Sequence, residues 1–222
     1  MRLRPFTQVV PKPLLPIGER SLLEIQIERL KNCGFDHIIF ATNYKANYVA
    51  RFFGDGSDLG VRITYSKEDN PLGTAGPLSL LKSELTEPFM VMNGDILTLM
   101  DFARFYDFAL AKRAILTVAI KQHVTPYAFG NIFSDGDYVT GIEEKQDIVR
   151  YILAGIYVMQ PNVLDWIPSG EPYGMDALIK AMLANNTPVV KYQFDEYWLD
   201  IGQVSDYETS TKIYDQYFRA GE

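Results

Sequence analysis

Two aspartates stand out because each lies next to a run of hydrophobic residues. Asp95 follows the apolar run 89–92 and an Asn-Gly turn, and Asp200 interrupts the aromatic and aliphatic run 197–201. A carboxylate in such surroundings needs a cation or hydrogen-bond donors. Because Mg²⁺ is commonly held by one or two carboxylates together with substrate phosphate oxygens, the two aspartates predict a magnesium site. A turn-forming Asp95 and a helix-capping or ion-paired Asp200 are the structural alternatives.

Basic side chains could neutralise the charge on a transferring phosphoryl group. Lys12 lies between Pro11 and Pro13, so it is held on a stiff segment, since proline fixes φ. A lone Lys or Arg is more often a solvated surface residue, and the stiff segment is what favours a positioned charge at Lys12. The other candidates are Arg2, Arg4 and Lys145.

A third candidate is the segment of small residues 72–76, Leu-Gly-Thr-Ala-Gly, which precedes a predicted helix. Its small residues could admit a flat base, or its backbone N–H groups could bind an anion at the helix start. A helix start without any ligand explains the same composition. By position Asp95 is the first candidate, because ligands of open α/β sheets bind beyond the carboxyl ends of strands.

The elements that position these residues alternate between strands and helices up to about residue 121. Strands separated by helices imply parallel pairing, so the sequence predicts a doubly wound, mostly parallel α/β sheet. The predicted strands are 37–42, 61–65, 88–92, 115–120 and 152–159, and the predicted helices are 23–30, 48–53, 75–81, 102–112 and 175–183.

Local signals refine this pattern. Ser21 and Glu24 predict a capping box at the start of the first helix, and Ser205 with Glu208 predicts a second box before the last helix. Shorter strands follow residue 121, with a turn at Asp135-Gly136 that indicates a small mixed-strand insertion. The aromatic residues of the last helix are expected to pack in the core, with an oligomer contact as the alternative; they are Tyr214, Tyr217 and Phe218.

Composition narrows the class of protein. The chain has 222 residues, which predicts one compact domain over residues 1–222. A formal charge of −7 argues against nucleic acids and anionic membranes as partners, because an acidic surface repels phosphate groups. The single cysteine, Cys33, excludes an internal disulfide and, without a membrane-length apolar run, leads us to expect a cytoplasmic protein.

Several other chemistries lack their motifs. The chain contains no G-x-S-x-G elbow, no H-E-x-x-H, no paired C-x-x-C and no complete phosphate-binding G-x-x-x-x-G-K-[ST] loop. His37 and His123 have no ligand spacing, and a structural role is expected for both. Acyl transfer and zinc-dependent hydrolysis are therefore disfavoured.

Together these residues resemble the sugar-phosphate nucleotidyltransferases, such as the mannose-1-phosphate guanylyltransferases and glucose-1-phosphate thymidylyltransferases, over nearly the whole chain. The similar elements occur in the family's order. They are Arg2-Leu3-Arg4-Pro5-Phe6-Thr7, Pro11-Lys12-Pro13, Leu72-Gly73-Thr74-Ala75-Gly76, Asn93-Gly94-Asp95, Phe129-Gly130, Glu144-Lys145 and Trp198-Leu199-Asp200-Ile201-Gly202.

The resemblance implies attack by a sugar 1-phosphate oxygen on the α-phosphorus of a nucleoside triphosphate, with pyrophosphate as the leaving group. Arg2 and Lys12 would stabilise the triphosphate, and Asp95 and Asp200 would hold Mg²⁺. The remaining roles are also implied by the family. Gly73, Thr74, Asn93 and Gly94 would contact the nucleotide, while Gly130, Glu144 and Lys145 would bind the sugar phosphate.

The resemblance also has departures. Met1 stands where relatives have a buried first strand and a glycine-rich turn, so the expectation is a domain that lacks that strand. Gln146 replaces the proline of the family's E-K-P element, and Leu153 stands where relatives often carry a polar sugar contact. The sequence leaves the base, the sugar and the oligomeric state, including a homo-oligomer, open.

Two other hypotheses stand beside the family resemblance. The first is a catalytically impaired remnant or regulatory subunit that binds a nucleotide or a sugar phosphate. The second is a glycosyltransferase of related architecture, which would need a D-x-D pair, and none follows the strand that ends at Met92.

Overall fold

The structure is a computed structural model, and it describes residues 10–42, 46–144 and 146–219. Its strands are β1 (Pro16–Ile17), β2 (Arg20–Ser21), β3 (His37–Thr42), β4 (Arg62–Lys67), β5 (Phe89–Met92), β6 (Ile96–Thr98), β7 (Leu116–Thr125), β8 (Asn131–Asp135), β9 (Tyr138–Glu143), β10 (Ile148–Met159), β11 (Val189–Gln193) and β12 (Trp198–Asp200). Its α-helices are α1 (Leu22–Asn32), α2 (Ala46–Phe53), α3 (Phe102–Lys112), α4 (Met175–Ala184) and α5 (Val204–Tyr217). Short 3₁₀ helices cover Lys12–Leu14, Ser57–Leu59, Gly76–Leu81 and Pro161–Trp166.

The largest sheet has the strand order β11-β7-β10-β5. Strands β5, β7 and β11 run in one direction, and β10 is antiparallel to both of its neighbours. Because β10 follows the β8–β9 hairpin rather than a helix, it needs no parallel crossover and can return against β7. Strands β3 and β4 form a separate parallel pair, and β6 pairs antiparallel with β12.

Helices cover both faces of the four-stranded sheet, which confirms the doubly wound α/β class. Alternate residues of one strand point to opposite faces. Val118 and Tyr157 pack in a cluster with α4 residues such as Leu178, whereas Ala119 and Ile156 pack in a second cluster. That second cluster contains the α3 residues Phe102, Phe105 and Ala109.

The first helix joins the two parts of the fold. Leu23 and Ile27 pack with residues of α2, β3 and β4, while Leu22 and Ile25 pack with Leu97 of β6. Ser21 accepts the N–H of Glu24, whose carboxylate accepts the Ser21 N–H, so the predicted capping box is confirmed. The helix can therefore begin directly after β2. Its side chains pack against the segment that follows β5.

The last helix differs from the sequence prediction at its start. It begins at Val204, and the Asp206 carboxylate accepts the N–H groups of Gly202 and Gln203 at 3.0 and 2.7 Å. The capping box predicted from Ser205 and Glu208 is wrong by two residues, because Asp206 satisfies the orphan N–H groups instead. Tyr214 and Phe218 are buried, as expected, whereas Tyr217 is exposed.

Strand β5 lies at an edge of its sheet in the described part of the chain. Phe89 and Val91 pack on one face, and Met90 and Met92 pack on the other, as the unbroken apolar run predicted. All four residues are nevertheless only half-buried, because β10 covers just one of the strand's two edges.

The predicted helix at 75–81 is a 3₁₀ helix, Gly76–Leu81, and Pro77 sits in its first turn, where a missing N–H costs nothing. No helix within the described residues has the length and apolar character needed to span a membrane.

Candidate active site

Three charged side chains meet beyond the ends of β5 and β12. Lys12 begins the first 3₁₀ helix, Asp95 lies in the loop between β5 and β6, and Asp200 ends β12. The Cα register pairs Asp200 with Ile96, and the Ile201 N–H donates to the Asp95 carbonyl at 3.0 Å. The two aspartates predicted from the sequence are therefore neighbours across one strand pair.

Lys12 lies between the two carboxylates. Its Nζ is 2.5 Å from Asp95 Oδ2 and 3.9 Å from Asp200 Oδ1. The Lys12 and Asp95 side chains are 28% and 29% exposed, so the ion pair is accessible to a ligand without being fully solvated. One ammonium faces two carboxylates, so the three groups together carry one excess negative charge.

The donor set fits Mg²⁺. A protein commonly supplies one or two carboxylate ligands to Mg²⁺, and phosphate and water oxygens complete the coordination. Asp95 and Asp200 provide two such carboxylates. The described residues contain no group of three or more His, Cys, Asp or Glu side chains arranged for a metal ion. A closed zinc-type site is therefore absent from this part of the chain, and an open oxygen site is the arrangement that Asp95 and Asp200 offer.

The backbone before Asp95 is fixed by buried contacts. Gln26 of α1 donates its side-chain amide to the carbonyls of Asn93 and Ile96 at 3.3 and 2.6 Å. At Gly94 an added Cβ would lie 3.3 Å from Pro13 Cγ, so the absence of a side chain lets the Lys12 segment approach closely. Gln26 and Gly94 thus hold Asp95 opposite Lys12.

A bulge in β10 supports the same loop. The register shifts between Leu153 and Tyr157, and Gly155 in the bulge has a φ of +72°. The Asn93 N–H donates to the Gly155 carbonyl at 2.9 Å, and the Trp198 indole N–H donates to Ala154 O, also at 2.9 Å. One irregularity therefore anchors both the Asp95 loop and the strand that carries Asp200.

We expect Gly155→Ala to lower the free energy of unfolding by about 1 to 3 kcal/mol, through backbone strain and overpacking. The new Cβ would lie 2.7 Å from Asn93 Nδ2. Gly136→Ala is the matched control, because Gly136 also has a positive φ, +53°, but nothing within 4 Å of an added Cβ. Urea denaturation compares the two variants, and equal losses would contradict the close packing of Asn93 on the bulge.

The small-residue segment 72–76 is anchored at several points. Ala75 N and Gly76 N donate to the Tyr173 carbonyl at 2.9 and 3.0 Å, and Tyr173 N donates to Leu72 O at 2.8 Å. At Gly73, where φ is +80°, an added Cβ would lie 2.8 Å from Tyr173 O. The segment is therefore a fixed loop against residues 171–175.

Gly73 and Thr74 form the exposed part of this loop. The Thr74 hydroxyl accepts the Met175 N–H at 2.8 Å and so caps α4. Within the described ranges the backbone N–H groups of Gly73 and Thr74 donate to no other group. These two N–H groups are the backbone donors that the loop can offer to a ligand, and the Thr74 hydroxyl, which accepts from Met175, can still donate its own hydrogen.

The remaining predicted site residues fall in two groups. Gly130 precedes β8 and packs near Ile142 and Glu143, and Glu144 follows β9; both Gly130 and Glu144 are exposed. The structure places them on the β8–β9 hairpin and shows no contact between them and Asp95 among the described residues. Arg2 and Lys145 lie outside the described residues.

One titratable group with a large pKa shift lies under the loop. Tyr157 pairs with Val91 in the sheet and packs in the same buried cluster as Ala75. Burial, with a smaller effect of Asp176, raises the pKa of Tyr157 to about 12. Its phenol therefore stays protonated near neutral pH and provides a packed support rather than a base.

Sequence reasoning missed three residues that support the site, namely Gln26, Gly155 and Tyr173. A glycine inside a strand pattern indicates a β-bulge, so the bulge at Gly155 could have been predicted from the sequence. Gln26 occupies a helical position whose role depends on a contact 67 residues away, and Tyr173 acts only through its backbone.

The sequence model of the nucleotidyl transferase family matches residues 1–216. The chain belongs to this family. A mannose-1-phosphate guanylyltransferase of Mycobacterium tuberculosis is 35% identical over 212 residues, which cover 93% of this chain and 59% of that relative. The chain spans about three fifths of the length of the curated relatives it matches.

Solved structures of similar fold agree with this family. A candidate glucose-1-phosphate thymidylyltransferase of Bacillus anthracis superposes with a TM-score of 0.80 at 23% identity, covering 100% of this chain and 93% of its own. HddC of Yersinia pseudotuberculosis, complexed with GMP-PN, superposes with a TM-score of 0.71 at 23% identity and covers 92% and 90% of the two chains. The sugar-phosphate nucleotidyltransferase fold expected from the sequence is therefore confirmed.

Proposed function

We propose that this chain transfers a nucleotidyl group from a nucleoside triphosphate to a sugar 1-phosphate, with release of pyrophosphate. The observation that carries the proposal is the meeting of Lys12, Asp95 and Asp200 at one exposed point of the sheet. A cation beside two carboxylates is the charge arrangement that phosphoryl chemistry requires, because charge neutralisation and positioning supply most of the catalysis.

In the proposed reaction a phosphate oxygen of the sugar 1-phosphate attacks the α-phosphorus of the triphosphate. A new phosphorus–oxygen bond forms as the bond to the bridging oxygen of pyrophosphate breaks. Asp95 and Asp200 would hold Mg²⁺, which when bound would offset the charge of the phosphate oxygens. Lys12 supplies a fixed positive charge at the same point, since Pro11 and Pro13 flank it.

The unpaired backbone N–H groups of the exposed residues Gly73 and Thr74, within the part of the chain that the structure describes, support binding of the nucleotide base. Backbone donors on a fixed loop add no conformational cost when the ligand arrives, since the loop is ordered before binding. Asn93 and Gly94, next to Asp95, are the proposed contacts of the ribose and phosphate groups of the nucleotide. Gly130, Glu144 and Lys145 are the proposed residues for the sugar 1-phosphate, and Arg2 a second cation for the triphosphate.

GTP and mannose 1-phosphate are the first substrates to test. The relative from Mycobacterium tuberculosis is a mannose-1-phosphate guanylyltransferase, and the structural neighbour HddC was complexed with the guanine nucleotide GMP-PN. Both resemblances favour a guanine base, and the first favours mannose over glucose.

The test incubates the purified chain with Mg²⁺, each common nucleoside triphosphate and a panel of hexose 1-phosphates, and identifies the products by mass spectrometry. The proposal predicts a sugar nucleotide that requires both substrates, with GTP and mannose 1-phosphate as the best pair. Binding of nucleotide by a folded chain without any product would contradict transfer and favour the binding-only alternative.

A further inference from the structure

Glu68 is a buried carboxylate outside the acidic site. It directly follows β4, its residue is 8% exposed, and its Oε2 accepts the Leu72 N–H at 2.8 Å. The Glu68 N–H donates to Thr42 O at the end of β3, at 3.0 Å. Burying a carboxylate is unfavourable unless it receives hydrogen bonds, and the Leu72 N–H supplies one of them.

The bond from Leu72 fixes one end of the loop 72–76. The Glu68 carboxylate accepts a hydrogen bond from the Leu72 N–H. The Tyr173 carbonyl accepts hydrogen bonds from the N–H groups of Ala75 and Gly76. The bonded donors flank the exposed residues Gly73 and Thr74, whose backbone N–H groups have no partner within the described part of the chain. Glu68 and Tyr173 therefore set the position of both free donors from the two ends of the loop.

We propose that Glu68 is a positioning residue for nucleotide binding, acting through Leu72 to fix the N–H groups of Gly73 and Thr74 against the acceptor edge of the base. The inference rests on the proposed function, since it assigns this loop to the nucleotide. It predicts that loss of the Glu68 acceptor weakens binding of the nucleotide but not binding of the sugar 1-phosphate. The residues proposed for the sugar 1-phosphate include Gly130 and Glu144 of the β8–β9 hairpin, which takes no part in the bond between Glu68 and Leu72.

Three substitutions separate positioning from stability. Glu68→Gln keeps an acceptor oxygen, whereas Glu68→Leu fills the same buried space without one. Asp69→Ala removes the neighbouring carboxylate, which is exposed, and serves as the matched control. The measurements are the KM for nucleoside triphosphate, the KM for sugar 1-phosphate, the Kd of a fluorescent nucleotide analogue and the thermal midpoint Tm.

We expect Glu68→Leu to raise the nucleotide KM and Kd by about tenfold or more, the scale of one charge-assisted hydrogen bond. The KM for sugar 1-phosphate should change less than about twofold, and Glu68→Gln should recover most of the nucleotide affinity. An unchanged nucleotide KM and Kd in a folded Glu68→Leu protein would overturn the inference, as would equal changes in both KM values.

Failure of the proposed transfer reaction can be distinguished from failure of the positioning role of Glu68. A wild-type chain that binds the nucleotide analogue but forms no product refutes transfer, and the analogue Kd of the Glu68 variants still decides the positioning role. A folded wild-type chain that neither binds nor reacts overturns both proposals.

Discussion

Asp95→Asn is expected to lower the rate of pyrophosphate release by about 10² to 10³-fold or more, the scale seen when a group that stabilises transition-state charge is removed. Asparagine keeps the shape of the side chain but removes the negative charge that would attract a divalent cation. The backbone bond from Ile201 N–H to the residue 95 carbonyl does not depend on the side chain, so the loop should keep its position.

The matched control is Asp58→Asn, which removes an exposed carboxylate in the 3₁₀ helix Ser57–Leu59, between α2 and β4. We expect this variant to retain wild-type turnover. Steady-state release of pyrophosphate at saturating substrates measures both variants. An Asp95→Asn enzyme with more than about a tenth of wild-type activity would show that Asp95 does not supply essential charge.

Lys12→Gln is expected to lower turnover by a similar factor of about 10² to 10³ while it strengthens the binding of a divalent cation. In the structure the Lys12 ammonium lies 2.5 Å from Asp95 Oδ2, so it competes with a cation for that carboxylate. Its removal leaves two carboxylates with no ammonium between them. The competition is worth on the order of 1 to 2 kcal/mol at a partly exposed site, which corresponds to about tenfold in affinity.

Manganese binding in the absence of nucleotide tests the expected increase in cation affinity of Lys12→Gln. Electron paramagnetic resonance is suitable because it detects free Mn²⁺ directly. The chain without substrates should bind Mn²⁺ about tenfold more weakly than Lys12→Gln. Lys82→Gln removes an ammonium that pairs with Asp165 on the surface and should leave the affinity unchanged. Equal affinity in the wild-type chain and Lys12→Gln would contradict competition between Lys12 and the cation.

The acidic pair could be predicted from the sequence because simple rules apply to it. Asp95 follows an unbroken apolar strand, and ligands of α/β sheets bind beyond such strand ends. Asp200 interrupts an apolar run, and two prolines fix the backbone of Lys12. These local patterns identified all three side chains that meet in the structure. The closeness of Asp95 and Asp200 depends on the pairing of β6 with β12, and that of Lys12 depends on the approach of its segment to Gly94.

The supporting contacts could not be predicted in the same way. The antiparallel return of β10, its bulge at Gly155 and the bonds of Gln26 depend on strand register and on partners distant in sequence. The last helix shows the limit of local rules, because Ser205 and Glu208 match a capping box while Asp206 provides the actual bonds. The predicted roles of Gly130 and Glu144 remain predictions, since no described contact joins them to Asp95.

Nucleotidyl transfer at this site is tested by measuring pyrophosphate release by the wild-type chain and by Asp95→Asn, with GTP, mannose 1-phosphate and Mg²⁺ together and with each omitted in turn. We expect release that requires all three components in the wild-type chain and is reduced at least about a hundredfold in the variant. Release that continues without the sugar 1-phosphate, or that keeps more than about a tenth of the wild-type rate in Asp95→Asn, would contradict nucleotidyl transfer at the site formed by Lys12, Asp95 and Asp200.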